Sequence, residues 1–153
     1  TRGDGPERKV FLAERAPELR FFGGYWALPG GTVADEDRLD DRDETAALQA
    51  CAHRELFEET GLLRHTLPAS RTGGDTLREL RERLLAHERD GEAAAGRSPW
   101  PGITAGATAP LPMRELCRIE TPAFAPVRYD TVFFHVPLDG CTAGTGGLRP
   151  DVW

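Results

Sequence analysis

The sequence predicts one domain that contains both helices and strands. Three short segments rich in β-branched and aromatic residues read as strands, and two longer segments rich in Ala, Leu, Glu and Arg read as helices. The chain has 153 residues, of which 39% are hydrophobic, so it is long enough for one core and too short for two domains. Seventeen glycines and twelve prolines predict many loops without a low-complexity composition.

Charge and cysteine content exclude several classes of protein. The net charge is −6 and the pI is about 5.2, which argues against a general nucleic-acid or anionic-membrane binder. No apolar run is long enough to span a membrane, and no signal peptide is visible. Cys51, Cys117 and Cys141 are too scattered for a disulfide framework or a metal knuckle, so we expect free thiols in a reducing cytoplasm.

The N-terminal part of the chain alternates short strands with loops. Residues 1–8 are polar and contain Gly and Pro, so we expect a loose leader ahead of a domain that spans 9–153. Residues 9–15 (KVFLAER) predict a first strand. Residues 25–28 predict a second strand, which ends at the turn 29–31 (PGG). The sequence lacks an initial Met, so we expect the native N-terminus to lie upstream. It also ends abruptly at residues 150–153, so we expect native residues after them, and this end does not resemble a peroxisomal SKL-type signal.

An acid-rich stretch separates this region from the first helix. It spans residues 32–44, and seven of its last ten residues are Asp or Glu. The stretch lacks the central Gly that a calcium-binding loop needs. We therefore interpret it as a solvated insertion.

Two helices are predicted next. Residues 45–60 (TAALQACAHRELFEET) are good helix formers, and Gly61 stands where a C-terminal cap belongs. Residues 76–90 begin with Thr76 and Glu79 at capping-box spacing. The second helix carries an apolar stripe that we interpret as core, namely Leu77, Leu80, Leu84 and Leu85.

The C-terminal part is predicted to contain a long loop and one strand. Residues 91–112 hold eight Gly or Pro among 22, which predicts a loop and makes it a candidate lid. Residues 127–136 (VRYDTVFFHV) are largely apolar on both faces of an extended chain. Because both faces would be covered, we expect a central strand.

The pattern that points to chemistry is RELFEETG at residues 54–61. At about 100° per residue, Glu55, Glu58 and Glu59 share an arc of about 100° on a helix. Carboxylates this close repel one another unless water or a cation screens them, and hard oxygen donors suit Mg²⁺ or Mn²⁺. An ordinary solvated helix face is the alternative. His53 falls on the opposite side, so we interpret it as a packed or surface residue and not as a ligand.

These residues resemble the signature of the Nudix hydrolases, Gx5Ex7REUxEExGU, in which U is aliphatic. Residues 54–62 match its second half without a mismatch, and the glycines of the turn 29–31 match its start. The resemblance implies an α/β fold, namely a three-layer α/β/α sandwich with a mixed central sheet. It also implies that the signature segment, called the box below, forms a loop, a helix and a second loop. It also implies hydrolysis of a nucleoside diphosphate linked to another moiety, with a divalent metal.

The first half of the box departs from this signature. Gly31 precedes Arg54 by 23 positions where the family pattern has 14, so nine residues are inserted. Counted back from Arg54, the early Glu of the pattern falls on Ala46, and the nearest acid is Glu44. The role of Glu44 stays open. The insertion resembles that of a Nudix subgroup related to peroxisomal coenzyme A diphosphatases.

A second resemblance to the coenzyme A diphosphatases lies upstream of the box. Their pattern LLTxRSxxxRxxxGxxxFPGG compares with FLAERAPELRFFGGYWALPGG at residues 11–31. The positions that match in register are Leu12, Arg15, Arg20, Gly24, Pro29, Gly30 and Gly31, whereas Phe11, Ala13, Ala16 and Leu28 differ. A weaker resemblance covers 121–136. Arg15 and Arg20 are candidates to bind phosphates through their planar guanidinium groups, with solvated loop charges as the alternative.

The resemblance assigns roles to the acidic residues. Glu55, Glu58 and Glu59 are the expected metal ligands, and the Gly31 carbonyl is a further oxygen donor. Attack on a diphosphate needs neutralised charge and an aligned water, and Glu58 or Glu59 is the candidate base.

Two further expectations concern residues around this helix face. Arg54 falls beside Glu58 and is expected to orient a glutamate, with a purely structural salt bridge as the alternative. An acid outside the box, Glu115 or Glu120, would complete the site.

Three functions remain open on the sequence. We favour a hydrolase that uses Mg²⁺ or Mn²⁺ to convert coenzyme A or acyl-coenzyme A to 3′,5′-ADP and (acyl-)4′-phosphopantetheine. A pyrophosphatase for ADP-ribose, NADH or a nucleotide sugar is the second reading. A Nudix-like ligand sensor without turnover is the third, because the early acid is displaced. The expected partner is a small nucleotide, with no nucleic acid and no membrane, and a homodimer stays open.

Overall fold

The computed structural model describes most of the predicted elements. The described residues are 9–19, 22–38, 43–64, 74–90, 98–104, 113–137 and 142–143. The predicted leader, Arg20, Cys141, most of the 91–112 segment and the last ten residues lie outside them.

Six strands, three α-helices and a 3₁₀ turn are present in the described part of the chain. In order they are β1 (Ala13–Glu14), β2 (Trp26–Ala27), the 3₁₀ turn (Asp35–Asp37), α1 (Glu44–Thr60), β3 (Leu62–Leu63), α2 (Gly74–Asp90), α3 (Trp100–Thr104), β4 (Arg114–Glu120), β5 (Asp130–His135) and β6 (Thr142–Ala143). Both predicted helices are found within two residues of their expected starts. The expectation of a domain with helices and strands is confirmed.

The strands form three antiparallel pairs within the described residues, namely β1 with β2, β3 with β6, and β4 with β5. Four of these strands are only two residues long. The β4–β5 ladder is the longest and has a register shift between Glu115 and Cys117. The strands of the described residues therefore make three separate small ladders, each of two strands.

Local signals in the sequence set the limits of α1. The Asp43 carboxylate accepts a hydrogen bond from the Ala46 backbone N–H at 2.7 Å, which caps the first turn. Gly61 ends the helix in the left-handed region with φ 74°, and its N–H donates to the Phe57 carbonyl at 2.8 Å. A side chain at Gly61 would strain this backbone, so the predicted glycine cap is confirmed.

The hydrophobic core lies where the three helices meet β3. It contains Phe57, Leu63, Leu77, Leu80, Leu84, Trp100 and Ile103, all buried. The predicted leucine stripe of α2 is therefore core, with Leu85 only half-buried. The Phe57 and Trp100 rings are 6.1 Å apart. Burial of side chains of this size contributes about 1.5–3 kcal/mol each, which fixes α2 against α1.

Two sequence expectations about the C-terminal part are corrected. The predicted 91–112 loop contains α3, which buries Trp100 and Ile103. The strand predicted at 127–136 begins only at Asp130 and pairs with β4 alone in the described residues, so it is not central there. Val127 and Tyr129 are each 55% exposed. An apolar alternation does not by itself show that both faces are covered.

The structure also bears on the membrane and cysteine expectations. Within the described residues, no helix combines the length and apolar character that crossing a bilayer requires. Cys51 and Cys117 are free thiols, the first buried and the second exposed. The expectation of free thiols is confirmed for these two.

Candidate active site

The turn at residues 29–31 packs directly against the glutamate face of α1. The Gly30 N–H donates to Glu59 Oε2 at 3.2 Å. A Cβ on Gly31 would lie only 2.2 Å from Glu55 Oε1, so the carboxylate occupies the space that a side chain would need. The structure thus brings together three predicted site residues, Gly31, Glu55 and Glu59, and a side chain at position 31 would displace the Glu55 carboxylate.

Arg54 lies at the centre of the cluster, and its side chain is 4% exposed. Its Nη1 is 2.9 Å from Glu58 Oε2 and 3.1 Å from Glu55 Oε1. Its Nη2 donates to the Thr32 carbonyl at 3.0 Å. The predicted contact between Arg54 and Glu58 is therefore present, and the same guanidinium also holds Glu55.

Asp37 completes the environment of Arg54 from the acid-rich segment. It is fully buried and accepts hydrogen bonds from Arg54 Nε at 3.1 Å and Nη2 at 2.9 Å. It also accepts one from the Ala34 backbone N–H at 2.9 Å. The interpretation of this segment as merely solvated is wrong at Asp37, because a buried carboxylate needs a partner and finds one in Arg54.

The sequence contained a signal for Asp37 that backward counting missed. The box pattern places its first acid six positions after the initial Gly, and six positions after Gly31 stands Asp37. Counting back from Arg54 across the insertion led instead to Glu44. In the structure Glu44 is exposed at the start of α1 and pairs with Arg118 at 3.0 Å. Arg118 also pairs with Asp130, so Glu44 belongs to a different, exposed cluster.

A fourth carboxylate reaches the cluster from α2. Glu88 Oε1 lies 3.7 Å from Arg54 Nη1, the nitrogen that Glu55 and Glu58 also approach. Its side chain is 48% exposed. Sequence reasoning missed Glu88 because its position follows from the packing of α2 on α1, which no local spacing reveals.

The same face of α2 also contacts the backbone of the glutamate-bearing helix. Arg81 Nε donates to the Glu58 carbonyl at 2.7 Å, and Arg81 Nη2 donates to the Glu59 carbonyl at 3.0 Å. The last carbonyls of a helix have no partner within it. Arg81 therefore fixes the end of α1 at the two adjacent glutamates, Glu58 and Glu59.

Burial disfavours the ionised form of the three glutamates when no cation is bound. Burial raises the pKa of Glu58 to about 8; the Arg54 charge opposes this shift and the Glu88 charge reinforces it. Burial likewise raises the pKa values of Glu55 and Glu59. The Gly30 N–H and the Arg15 charge oppose the shift at Glu59. A bound cation would reverse this preference.

The donor set suits a hard divalent cation, although the side chains do not converge on one. No three carboxylate, imidazole or thiolate groups of the described residues meet at a point that could hold a metal ion, since Arg54 lies between Glu55 and Glu58. Glu58 Oε1, however, is buried and has no hydrogen-bond partner within the part of the chain described. An unpartnered buried oxygen among carboxylates fits a cation.

The remaining residues singled out from the sequence are two upstream arginines, two acids of β4 and one histidine of α1. Arg15 Nε is buried and has no hydrogen-bond partner in the described ranges, whereas Arg20 lies outside them. Glu115 and Glu120 are exposed on β4. Within the described residues, an acid from outside the box that approaches Arg54 is Glu88. His53 is buried on the side of α1 opposite the cluster, as the helix geometry predicted.

Burial of Cys51 distinguishes this thiol from a reactive one. Burial raises the pKa of Cys51 to about 12, and the Asp37 charge adds to the shift. Only the thiolate is nucleophilic, so this shift disfavours reaction of Cys51, whose Sγ lies 3.8 Å from Arg54 Nη2.

Comparison with known proteins places this arrangement in a family. Residues 2–99, more than half of the chain, match the model of the NUDIX domain. The fold is similar to the crystal structure of a NUDIX hydrolase from Alicyclobacillus acidocaldarius, with a TM-score of 0.62 and 28% sequence identity. The similarity covers 88% of this chain but only 63% of that one. No curated protein matches the sequence significantly. The glutamate-bearing helix, the glycine turn and these similarities together show that the chain belongs to the Nudix family and has its α/β fold.

Proposed function

We propose that the protein is a metal-dependent pyrophosphohydrolase whose substrate is a nucleoside diphosphate linked to another moiety. The observation that carries this proposal is the Glu58 carboxylate, which is 3% exposed and leaves Oε1 without a hydrogen-bond partner among the described residues. An unsatisfied buried polar atom costs about 1–3 kcal/mol. In a Nudix domain, a cation that this oxygen can bind would offset that cost.

The residues proposed to hold the cation are Glu55, Glu58, Glu59 and the Gly31 carbonyl. Nudix enzymes generally use divalent metals such as Mg²⁺ or Mn²⁺. When bound, the cation would neutralise charge on the diphosphate and acidify a water molecule.

The side chains would prepare the attack on the diphosphate. Arg54 orients Glu58 and Glu55 through Nη1, and Asp37 holds the opposite edge of the guanidinium. Glu58 or Glu59 would accept a proton from the attacking water. As the water oxygen bonds to phosphorus, the P–O bond of the anhydride would break. Such groups contribute mainly by position and charge, because phosphoryl transfer needs little covalent chemistry from the protein.

Arg15 is proposed to bind a phosphate of the substrate. Its charge acts on Glu59, so the guanidinium lies near the acidic cluster, and its buried Nε has no partner in the described part of the chain. A planar guanidinium suits phosphate oxygens. A chain with net charge −6 needs such local positive charge to attract a polyanion. Arg20, which lies outside the described residues, is proposed to assist.

Coenzyme A or an acyl-coenzyme A is the proposed substrate. The support is the resemblance of residues 11–31 to the coenzyme A diphosphatase pattern. The hypothesis of a sensor without turnover depended on the apparent displacement of the first acid of the box. Asp37 supplies an acid in that part of the box, and its carboxylate holds Arg54. We therefore favour hydrolysis over simple binding.

A substrate panel tests the proposal directly. The purified protein would be assayed with coenzyme A, acetyl-coenzyme A, ADP-ribose, NADH and a nucleotide sugar at fixed Mg²⁺ and at fixed Mn²⁺, with products identified by mass. We expect 3′,5′-ADP and 4′-phosphopantetheine from coenzyme A. A much higher kcat/KM for ADP-ribose would overturn the substrate assignment and leave the reaction class intact.

Substitution of the glutamates tests the reaction class. Glu58→Gln and Glu59→Gln keep the side-chain volume and remove the charge, so each should lower kcat at least about 100-fold if the site is catalytic. Glu82→Gln, at an exposed position of α2, is the matched control and should leave kcat unchanged. Binding of a nucleotide without turnover by the wild-type protein would favour the sensor instead.

A further inference from the structure

We propose that Tyr25 and Phe22 form a stacking platform for the nucleobase of the substrate, a planar purine. Both residues lie in the hairpin that joins β1 to β2, at positions that the upstream pattern leaves unspecified. This inference rests on the proposed function and deepens it, because it names the residues that would bind the base of the same nucleotide.

The hairpin carries Arg15 and Tyr25 as a cross-strand pair. The Arg15 N–H donates to the Tyr25 carbonyl and the Gly24 N–H donates to the Arg15 carbonyl, each at 2.9 Å. Gly24 has φ 77°, so these bonds form a β-bulge in which Gly24 and Tyr25 together oppose Arg15. Residues directly opposite each other in an antiparallel pair project their side chains to the same face. Tyr25 therefore lies on the face that carries Arg15, the residue proposed to bind phosphate.

This face of the hairpin is the one turned toward the glutamates. On it Ala13 and Ala27 pair across the strands and are half-buried, whereas Trp26 on the opposite face is 55% exposed. Arg15 follows Ala13 by two residues on the same face, and its charge acts on Glu59. A nucleotide whose phosphates reach the glutamates can therefore lay its base along the face that Arg15 shares with the aromatic pair.

The rings of Phe22 and Tyr25 are exposed and held against each other. Their centroids are 5.6 Å apart with an interplanar angle of 71°, which is an edge-to-face contact. The two residues are 58% and 64% exposed, and the Tyr25 N–H donates to the Phe22 carbonyl at 3.2 Å. A purine can stack on an exposed ring face of this kind.

Phe22 presents its ring in spite of backbone strain. Its φ is 51°, in the left-handed region that bulky side chains rarely adopt. The turn around it is tightly packed, since a Cβ on Gly23 would lie only 2.4 Å from the Pro17 carbonyl oxygen. Strained residues of this kind cluster at ligand-binding sites, where the surrounding structure holds a side chain in one place.

Binding of two phosphate ligands that differ by the base tests the platform. AMP and ribose 5-phosphate both lack an anhydride bond, so calorimetry at fixed Mg²⁺ can compare their affinities without hydrolysis. We expect Tyr25→Ala to weaken the binding of AMP at least about fivefold and that of ribose 5-phosphate less than about twofold. Tyr25→Phe should keep the affinity for AMP, because stacking needs the ring and not the hydroxyl group. Trp26→Ala, an equally exposed aromatic position on the opposite face of the same hairpin, is the matched control and should change neither affinity.

A second variant and steady-state kinetics add independent readouts. Phe22→Gly removes the other ring and suits the left-handed backbone, so it should fold, as circular dichroism would show, and still bind AMP at least about threefold more weakly. In hydrolysis of the substrate, Tyr25→Ala should raise KM and leave kcat almost unchanged, because the base would be bound equally in the ground state and the transition state.

The outcomes separate this inference from the proposed function. Wild-type affinity for AMP no higher than for ribose 5-phosphate, or an equal loss of both ligands in Tyr25→Ala, would overturn the platform. So would an unchanged affinity for AMP in Tyr25→Ala when Arg15→Gln binds both ligands more weakly. Absence of both nucleotide binding and turnover in the wild type would contradict the proposed function itself.

Discussion

Replacing Asp37 by Asn removes the charge that holds Arg54 while the side-chain volume stays the same. Asp37 is fully buried and accepts hydrogen bonds from two nitrogens of Arg54 and from the Ala34 N–H. One terminal atom of Asn is an NH₂ donor, so at least one contact with the Arg54 guanidinium becomes donor against donor. Arg54 itself is 4% exposed and cannot turn to water.

The magnitude follows from the cost of removing one charged partner of a buried guanidinium that keeps Glu58 and Glu55. Breaking a buried ion pair by removing one partner costs about 3–5 kcal/mol, and the remaining acceptor of Asn places Asp37→Asn near the lower end, about 3 kcal/mol. In a chain of 153 residues this corresponds to a fall in Tm of about 6–12 °C. Because Arg54 also orients Glu58, kcat should fall while KM changes little.

Urea denaturation followed by circular dichroism measures the free energy of unfolding. The neighbouring exposed residue Asp35 provides the matched control, since Asp35→Asn should change the free energy by less than about 0.5 kcal/mol. A double-mutant cycle with Arg54→Met should give a coupling energy above about 1 kcal/mol. A cost for Asp37→Asn no larger than that of Asp35→Asn would refute the view that Asp37 anchors the site.

Three further predictions concern the glycine turn at 29–31, the Glu58 carboxylate and the C-terminal end of α1. Gly31→Ala places a methyl group 2.2 Å from Glu55 Oε1, so the carboxylate must move and kcat/KM should fall at least about tenfold, measured by steady-state kinetics. Burial raises the pKa of Glu58 to about 8, so the metal-free folded state binds more protons than the unfolded state. Tm in EDTA should therefore fall as pH rises from about 5 to about 8, and Glu58→Gln should flatten this slope. Arg81→Ala removes both donors to the Glu58 and Glu59 carbonyls and should weaken Mn²⁺ binding in titration, whereas Arg81→Lys should retain part of the affinity.

The parts of the fold that the sequence predicted are those determined by neighbouring residues. The span of α1 follows from its helix formers and its Gly61 cap, and the shared face of Glu55, Glu58 and Glu59 follows from the helical repeat. In contrast, β4 was not predicted, because the residues of Arg114–Glu120 are exposed on both faces and show no apolar alternation.

The parts of the site that escaped prediction depend on contacts between distant segments. Arg81 and Glu88 reach α1 only because the leucines of α2 are buried against it, and no sequence spacing encodes that approach. Asp37 differs from them, since its distance from Gly31 agrees with the box pattern when counted forward. Counting back from Arg54 crosses the insertion and gives the wrong position, whereas counting forward from Gly31 does not cross it.

The position of the insertion also explains why the box can accept nine extra residues. The pattern holds from Gly31 to Asp37 and again from Arg54 onward, so the added length lies between the two partners of the buried ion pair. Doubling the length of a connection costs only about 0.6 kcal/mol of closure entropy. Losing Asp37 would cost several times more than that, because the buried Arg54 guanidinium would lose the charged partner of its Nε and Nη2. Length can therefore vary here as long as both ends of the pair are kept.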